Sequence, residues 1–424
     1  MLLSFRVTNH RSLRDEQQLL LTPSYEADSR SPLTAEAVPV IGLFGPNASG
    51  KSNVIDALVY MRNLVRGSLR ESEPGAGIKR HPFALDSAAL EEPSTYVVDL
   101  LIEGVRYTYG FAVDDAQVVE EWMFSYPLKK KRVIFHRCLD DYSYGDHSPS
   151  SMRQVAAITE TNVLFLSIAA RSRQEEIRPV YDWFTEILTR NPRHFRPPGR
   201  PFTAESLDRL GLLERITTLL QAADTGIESA EIVEETDAEL AERSMRLKGP
   251  DGYTPERRKD IFFKHKGEGG TFALSLRDQS LGTQILYEIG FDVFRTLNRG
   301  STLVVDELDS SLHPYLTAQL IKLFSDPALN TRGAQLIFSS HDATLLGRIQ
   351  GEEVLRRDAI WFTEKNEHGA TELFPLTDFK PRLDENRERR YLAGRYGAVP
   401  IVSDNLFAAA LTTRREADDV SSEP

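Results

Sequence analysis

The stretch Gly45-Pro46-Asn47-Ala48-Ser49-Gly50-Lys51-Ser52 fits the pattern G-x-x-x-x-G-K-[ST] without a mismatch. It follows the apolar run 38–44, which is typical of a buried parallel strand, and it precedes a helix predicted from Ser52. Glycines let the backbone curl until successive N–H groups point inward, and the following helix adds its positive end. The stretch therefore predicts a loop that binds the phosphates of a nucleotide.

Two side chains of this loop have predicted roles in ATP chemistry. Lys51 is expected to reach the β and γ phosphates, and the Ser52 hydroxyl is expected to be a ligand of Mg²⁺. The alternative is a glycine turn that only opens a helix. Chance would produce the pattern in about one to two per cent of chains of this length, so the binding function is favoured.

Two later strands end in polar residues of the kind that ATP hydrolysis needs. The apolar run 302–305 ends in Asp306 and Glu307, and the run 335–339 leads to His341. Asp306 is predicted to hold Mg²⁺ through water, Glu307 to polarise the attacking water, and His341 to donate a hydrogen bond to the γ phosphate. An acidic turn and an ordinary loop histidine are the alternatives for these residues taken singly. We predict Lys51, Glu307 and His341 as the catalytic residues.

The order of elements along the chain predicts an α/β fold. Alternating strands and helices after residue 280 indicate a largely parallel sheet, and runs near 96–124 indicate an antiparallel β meander. Leucine and isoleucine spacing between 150 and 250 indicates an inserted helical lobe, followed by a hairpin at 261–276. The predicted parts are an N-terminal core segment (1–150), the helical lobe (151–258), a C-terminal core segment (259–375), and a helix with a tail (376–424).

Composition indicates the cellular compartment in which such a protein works. The 424 residues carry a net charge of -12 and one cysteine, Cys138, which excludes intrachain disulfides and cysteine-rich metal sites. No apolar run reaches the roughly 18 residues of a membrane span, and the first residues lack a signal-peptide core. We expect a cytoplasmic protein without a membrane partner.

Three basic clusters stand out against the acidic background. They are Lys129 to Arg132, the run Arg257-Arg258-Lys259, and the trio Arg387, Arg389 and Arg390. Charge runs are usually solvated faces, which is the favoured interpretation, and a local contact with nucleic acid is the alternative.

The order of the motifs resembles that of ABC-type ATPases. The run Asp306-Glu307-Leu308-Asp309-Ser310-Ser311-Leu312-His313-Pro314 is similar to the catalytic strand and D-loop of the RecF, SMC and OLD branch. The segment Ser280-Leu281-Gly282-Thr283, called here the signature segment, resembles the signature motif of that branch. The resemblance implies an ABC-ATPase head that uses ATP and Mg²⁺. It also implies that Ser280, Gly282, Thr283 and Asp309 contact nucleotide held by a second copy, in a homodimer or higher homo-oligomer.

The N-terminal run Asn9-His10-Arg11-Ser12 is similar to the segment that touches nucleotide in SMC-like heads. The similarity implies that Arg11 and Ser12 contact the nucleotide. No glutamine stands out as the Q-loop residue of the family.

A narrower resemblance is to RloA-like ATPases of restriction-linked and anti-phage operons. Three stretches are similar to theirs, namely 107–111, 163–167 and 391–400, although the last could be simply a C-terminal helix and turn. The resemblance implies an ATP-gated sensor that controls a separate effector, a nuclease or toxin, in anti-phage defence. Only residues 342–424 follow His341, too few for the Toprim nuclease domain of OLD-type relatives. The alternative is a RecF-like DNA-binding repair ATPase, and a transporter motor fits less well.

Overall fold

The computed structural model describes residues 1–24, 36–146, 150–190, 204–223, 225–246, 257–382 and 385–400, together with 403 and 406. The strands within these ranges are β1 (Leu2–Thr8), β2 (Gln17–Leu20), β3 (Val40–Phe44), β4 (Ser94–Ile102), β5 (Val105–Val113), β6 (Val118–Tyr126), β7 (Arg132–Cys138), β8 (Asp141–Tyr144), β9 (Leu188–Arg190), β10 (Ile227–Glu234), β11 (Lys259–Gly267), β12 (Gly270–Ser275), β13 (Thr302–Val305), β14 (Gln335–Ser339), β15 (Arg348–Ile349), β16 (Glu352–Glu353), β17 (Ile360–Lys365) and β18 (Thr371–Pro375).

The α-helices in the same ranges are α1 (Lys51–Glu71), α2 (Ser87–Glu91), α3 (Ser151–Ala156), α4 (Phe165–Ala169), α5 (Arg178–Glu186), α6 (Ala204–Leu210), α7 (Leu213–Ala222), α8 (Asp237–Arg246), α9 (Leu281–Arg299), α10 (Pro314–Ser325) and α11 (Arg387–Leu392). None of the helices in the described ranges combines the length and the apolar character that crossing a membrane requires.

The central sheet has the strand order β18-β17-β3-β14-β13-β9. Its pairs are parallel except for the edge strand β18, which runs antiparallel to β17. All five residues of β3 are buried, as expected for a strand covered on both faces. Because parallel strands share their direction, the carboxyl ends of β3, β13 and β14 meet at one edge of the sheet.

A second sheet is antiparallel, with the order β2-β1-β4-β5-β6-β7-β8. It contains the predicted meander, in which β4, β5 and β6 pair in sequence. The buried Gln335 side chain joins the two sheets, because its Oε1 accepts from the Leu2 N–H at 2.5 Å and its Nε2 donates to the Leu2 carbonyl at 2.9 Å. The predicted α/β class with a largely parallel sheet and an antiparallel meander is confirmed.

The segment predicted as a helical lobe contains helices and also two strands. The strand β9 joins the edge of the central sheet beside β13, and β10 pairs with β11 in a three-stranded sheet. The predicted boundary at 258 therefore divides that small sheet. A three-residue strand is too short to carry a period-two pattern, and β10 buries only one of its eight residues, so neither has the apolar alternation that identifies strands.

Two long helices carry the parts of the site. Helix α1 follows β3 directly and buries Val54, Leu58, Met61 and Val65 at three- and four-residue spacing. Helix α9 starts behind Ser280 and ends at Gly300, whose left-handed φ of 66° closes the helix. In the predicted C-terminal part, α11 is present, and the tail after residue 400 lies outside the described residues except for 403 and 406.

Candidate functional site

The glycine-rich loop turns sharply between β3 and α1. Gly45 and Gly50 have φ values of 149° and 111°, which favour glycine over residues with a Cβ. A Cβ on Gly50 would lie 2.1 Å from the Thr371 Oγ1, and one on Gly45 would lie 2.4 Å from the Thr363 carbonyl oxygen. Both positions therefore require glycine, because of their φ values and because β17 and β18 approach them closely, through the Thr363 backbone at Gly45 and the Thr371 side chain at Gly50.

Hydroxyl groups behind the loop hold it in place. The Thr371 Oγ1 donates to the Ser49 carbonyl at 2.8 Å, and the Ser49 Oγ lies 2.6 Å from the Thr363 Oγ1. The Ser12 Oγ lies 2.7 Å from the Thr371 Oγ1 and accepts from the Asn53 Nδ2 at 2.6 Å. The predicted Ser12 is thus next to the loop, in contact with its support.

The Lys51 side chain folds back over the loop. Its ammonium group donates to the Gly45 carbonyl at 2.7 Å and to the Pro46 carbonyl at 3.0 Å, and the residue is buried. Asn47 and Ala48 form the exposed tip of the loop, with Ala48 at a φ of 63°. This arrangement puts a positive charge beside a backbone cradle, which suits a phosphate chain.

Asp306 meets the loop at the carboxyl edge of the sheet. Its Oδ1 accepts from the Ser52 Oγ at 3.0 Å and from the Ser339 Oγ at 2.6 Å. The hydroxyl of Ser52 and the carboxylate of Asp306 are hard oxygen donors of the kind that Mg²⁺ prefers. The two predicted metal ligands, 254 positions apart in sequence, are therefore adjacent and chemically suited to that ion.

Glu307 has a left-handed backbone, with a φ of 55°. Its N–H donates to the Ser339 Oγ at 2.7 Å, and its Oε1 lies 3.8 Å from the His341 Nε2. A non-glycine residue in this region stores strain, which is common at functional sites. The hydroxyl of Ser339 thus connects the Asp306 carboxylate to the backbone that orients Glu307, and His341 lies beside the Glu307 carboxylate.

The D-loop aspartate faces its own chain in this structure. The Asp309 Oδ2 accepts from the His341 N–H at 3.3 Å. Ser311 follows with a φ of 64°, and its carbonyl oxygen would lie 3.3 Å from a Cβ on Gly282. The D-loop is therefore hydrogen-bonded to the His341 turn and passes close to the signature segment.

The signature segment caps the N-terminus of α9. The Ser280 Oγ accepts from the Thr283 N–H at 3.2 Å, which is an N-cap hydrogen bond, and it lies 2.8 Å from the Thr283 Oγ1. Ser280 is exposed, and Leu281 is 55% exposed. The segment is thus a pre-formed, accessible helix start, a geometry that can face a ligand held by another molecule.

The N-terminal turn packs against α1 through Asp56. Arg11 and the buried His10 both hydrogen-bond to the Asp56 carboxylate, and the His10 Nδ1 lies 2.7 Å from the Tyr96 hydroxyl. Partial burial alone would raise the pKa of Asp56, but the hydrogen bonds from His10 and Arg11 outweigh it and lower the pKa to about 2. Arg11 is therefore held beside α1 at Asp56, which lies about one helical turn after Ser52.

The three basic clusters differ in their surroundings. Lys129, Lys130 and Lys131 are exposed in the β6–β7 connection. In the second cluster, Arg257 pairs with Asp237, and the Lys259 Nζ lies 3.0 Å from a Glu234 carboxylate oxygen.

In the third cluster, Arg389 and Arg390 are exposed, as expected of a solvated face, whereas Arg387 is not. Arg387 is 3% exposed and donates to the Leu355 carbonyl at 2.9 Å. Arg387 thereby anchors α11 on the core, because its guanidinium satisfies a buried carbonyl and lies 3.2 Å from a Glu353 carboxylate oxygen.

Sequence reasoning missed several residues of the site. Ser339 had a readable signal, since it is a polar residue at the carboxyl end of an apolar strand predicted to follow the Asp306 strand. Thr363 and Thr371 gave no local signal, because they reach the loop only through the pairing of β17 with β3 and β18. Arg190 falls in the predicted helical lobe, whereas the structure places it at the end of β9 beside β13.

A phosphate-type cradle and an acidic pair at the same edge of a parallel sheet define the class of P-loop ATPases. Within that class, a family model matches residues 40–347, from β3 to just beyond His341. Its description is "AAA domain, putative AbiEii toxin, Type IV TA system". The match covers well over half of the chain, and the protein belongs to this family.

Solved structures of SMC head domains are similar at low sequence identity. One, an SMC head bound to the C-terminal winged-helix domain of ScpA, has 10% identity and a TM-score of 0.44, covering 89% of this chain and 99% of its own. The head from Thermotoga maritima has 15% identity and a TM-score of 0.40, with 88% and 98% covered. A Pyrococcus furiosus head bound to ScpA has 10% identity and a TM-score of 0.41, with 89% and 97% covered. A comparison with curated proteins finds no significant match.

Proposed function

We propose that the protein hydrolyses ATP with Mg²⁺ and dimerises around the nucleotide. The observation that carries this proposal is the hydrogen-bonded chain from Ser52 through Asp306 and Ser339 to the Glu307 N–H, at 3.0, 2.6 and 2.7 Å. It joins the loop suited to phosphate with the carboxylate suited to water activation. A merely structural glycine turn has no need of such a chain.

In this proposal each side chain has a separate task. The backbone N–H groups of 45–50 cradle the phosphates, and the Lys51 ammonium exchanges its carbonyl partners for phosphate oxygens. Ser52 and Asp306 would hold Mg²⁺, which supplies neutralisation of the phosphate charge. Glu307 accepts a proton from the attacking water, and His341, beside it, donates a hydrogen bond to the γ phosphate.

A second copy completes the site in this proposal. At the start of α9, Ser280 is exposed and Gly282 is partly exposed, so both are available to nucleotide bound by another chain. Thr283 is buried behind them, and its proposed part is to orient the Ser280 hydroxyl, which lies 2.8 Å from the Thr283 Oγ1. Symmetric pairing would give two composite sites, each built from one cradle and one signature segment. Asp309 and the N-terminal residues Arg11 and Ser12 are proposed as further nucleotide contacts.

Two substitutions test the catalytic part. We expect Lys51→Ala to abolish ATP binding, because the loop loses its only lysine. We expect Glu307→Gln to keep ATP affinity within about threefold and to lower turnover at least about 100-fold, since an amide is a poor proton acceptor. Nucleotide binding, phosphate release and sedimentation with ATP are the measurements. Parental turnover in Glu307→Gln would contradict the assigned role.

The biological role that we propose is regulation of a separate effector in anti-phage defence. The family description, which refers to a toxin–antitoxin system, supports it. The stretches 107–111, 163–167 and 391–400, which resemble RloA-like ATPases, support it as well. Co-purification of the tagged full chain with the product of a neighbouring reading frame tests this role. The role is supported if the partner resembles a nuclease or toxin and if its binding depends on the nucleotide. It is contradicted if the partner is a replication protein.

DNA binding is a second candidate function, favoured by the three exposed lysines 129–131. A patch that neutralises phosphates should bind duplex with an affinity that falls steeply with salt. Replacing the three lysines with glutamine should then remove this binding and leave ATP turnover unchanged. Equal DNA binding by the parental and substituted proteins would contradict the assignment.

A further inference from the structure

Arg190 contacts both the strand that leads to the acidic pair, β13, and the helix that begins with the signature segment, α9. Its backbone carbonyl accepts from the Asp306 N–H at 3.0 Å, which extends the ladder between β9 and β13 beyond its last paired residues. The main chain that carries the acidic pair is therefore attached to β9. This attachment uses only the backbone of Arg190 and leaves its side chain for other partners.

The Arg190 side chain forms two ion pairs with α9. Its Nη1 lies 2.7 Å from the Glu288 Oε2, and its Nε lies 2.7 Å from the Asp292 Oδ2. Glu288 and Asp292 are about one helical turn apart, so both carboxylates lie on the same face of the helix. The three side chains are 16%, 19% and 8% exposed, and water therefore competes little with the pairs.

The same helix begins with the signature segment. Glu288 is eight residues beyond Ser280, about 12 Å along the helix axis. An α-helix of this length moves as a rigid rod over such a distance, so a shift at Glu288 is carried to Ser280.

We propose that Arg190 is a positioning residue that keeps the signature segment in register with the acidic pair of the same chain. The proposal rests on the proposed function, in which the acidic pair serves the chain's own nucleotide and the signature segment serves that of the partner. Through Arg190, closure around the nucleotide at one composite site then fixes the position of the signature segment that the same chain contributes to the other site.

The test uses the full chain and two substitutions. Arg190→Met removes both ion pairs, and Glu288→Ala removes one of them while Arg190 stays paired with Asp292. The matched control is Arg215→Met, because Arg215 contacts α9 farther from the signature segment, donating to the Asn298 Oδ1 at 2.8 Å and lying over the Phe294 ring. Glu288→Ala decides the question if Arg190→Met does not fold.

Two measurements separate positioning from a purely structural role. Without nucleotide, we expect hydrogen exchange in 280–289 to quicken at least about fivefold in Arg190→Met, less in Glu288→Ala, and not in the control. With ATPγS and Mg²⁺, the dimer dissociation constant should rise about tenfold, while nucleotide affinity measured on the monomer stays within about twofold.

Unchanged exchange in 280–289 in both substituted proteins would overturn the proposal, as would equal changes in the Arg215→Met control. If the parental protein stays monomeric with nucleotide, the proposed dimer is wrong, but the exchange measurement still decides whether Arg190 holds the signature segment. The two failures are therefore distinguishable.

Discussion

At the scale of single residues, Ser339 is the side chain that joins the two members of the acidic pair. Its hydroxyl has one proton, which it donates to Asp306, and its lone pair accepts from the Glu307 N–H. Ser339 is fully buried, so water does not replace either bond readily. The left-handed backbone of Glu307 is therefore held by a hydroxyl that donates and accepts at once.

Ser339→Ala should lower ATP turnover about 10- to 100-fold and leave ATP affinity within about twofold, because Glu307 loses orientation while the cradle is unchanged. Steady-state phosphate release and nucleotide titration are the measurements. The control is Ser340→Ala, since the neighbouring Ser340 Oγ accepts from the Asp342 N–H at 2.9 Å. Equal loss of turnover in both variants would argue against a specific role for Ser339.

At the scale of elements, α1 is attached to the N-terminal turn as well as to the central sheet. Asp56 is the point of attachment, held by His10 and Arg11. Its pKa of about 2 lies below the ordinary value of 3.8, so the ionised form is favoured by folding. The resulting stability is present above about pH 4 and is lost as the pH falls from about 4 towards 2.

Asp56→Asn should therefore unfold more readily than the parental protein at pH 7, and the difference should shrink as the pH falls below about 4. Urea unfolding at pH 7, 5, 4 and 3 measures it. A difference that stays constant across this range would mean that the carboxylate charge is not what attaches the turn. Glu71→Gln, at the far end of the same helix, is the matched control.

At the scale of the whole molecule, the cradle and the signature segment lie on different elements of one chain. The cradle connects β3 to α1, whereas the signature segment precedes α9. In the proposed symmetric pair each chain would supply what the other lacks, and ATP itself would form part of the interface.

Complementation tests this arrangement directly. Lys51→Ala keeps its signature segment and Ser280→Arg keeps its cradle, so each protein alone should be inactive. Random pairing of an equimolar mixture gives one intact site in half of the dimers, and turnover should recover to about a quarter of the parental rate. No recovery at any ratio would contradict a composite site.

Much of the fold could be predicted because its signals are local. The cradle is a contiguous motif, the strands 302–305 and 335–339 are continuous apolar runs, and α9 has its cap and its closing glycine within the same segment. The strand β9 could not be identified in this way. Three residues become a strand only because the edge of β13 offers them a partner.

The sequence by itself determined the phosphate-type loop, the acidic pair and their order along the chain, since each depends on neighbouring residues and on the spacing of apolar side chains. Only the tertiary structure decided that Ser339 joins Asp306 to Glu307, that Thr371 supports Ser49, and that Arg190 ties β13 to α9. These contacts join residues brought together by strand pairing, and a hydrogen bond between distant positions leaves no periodic trace in either segment.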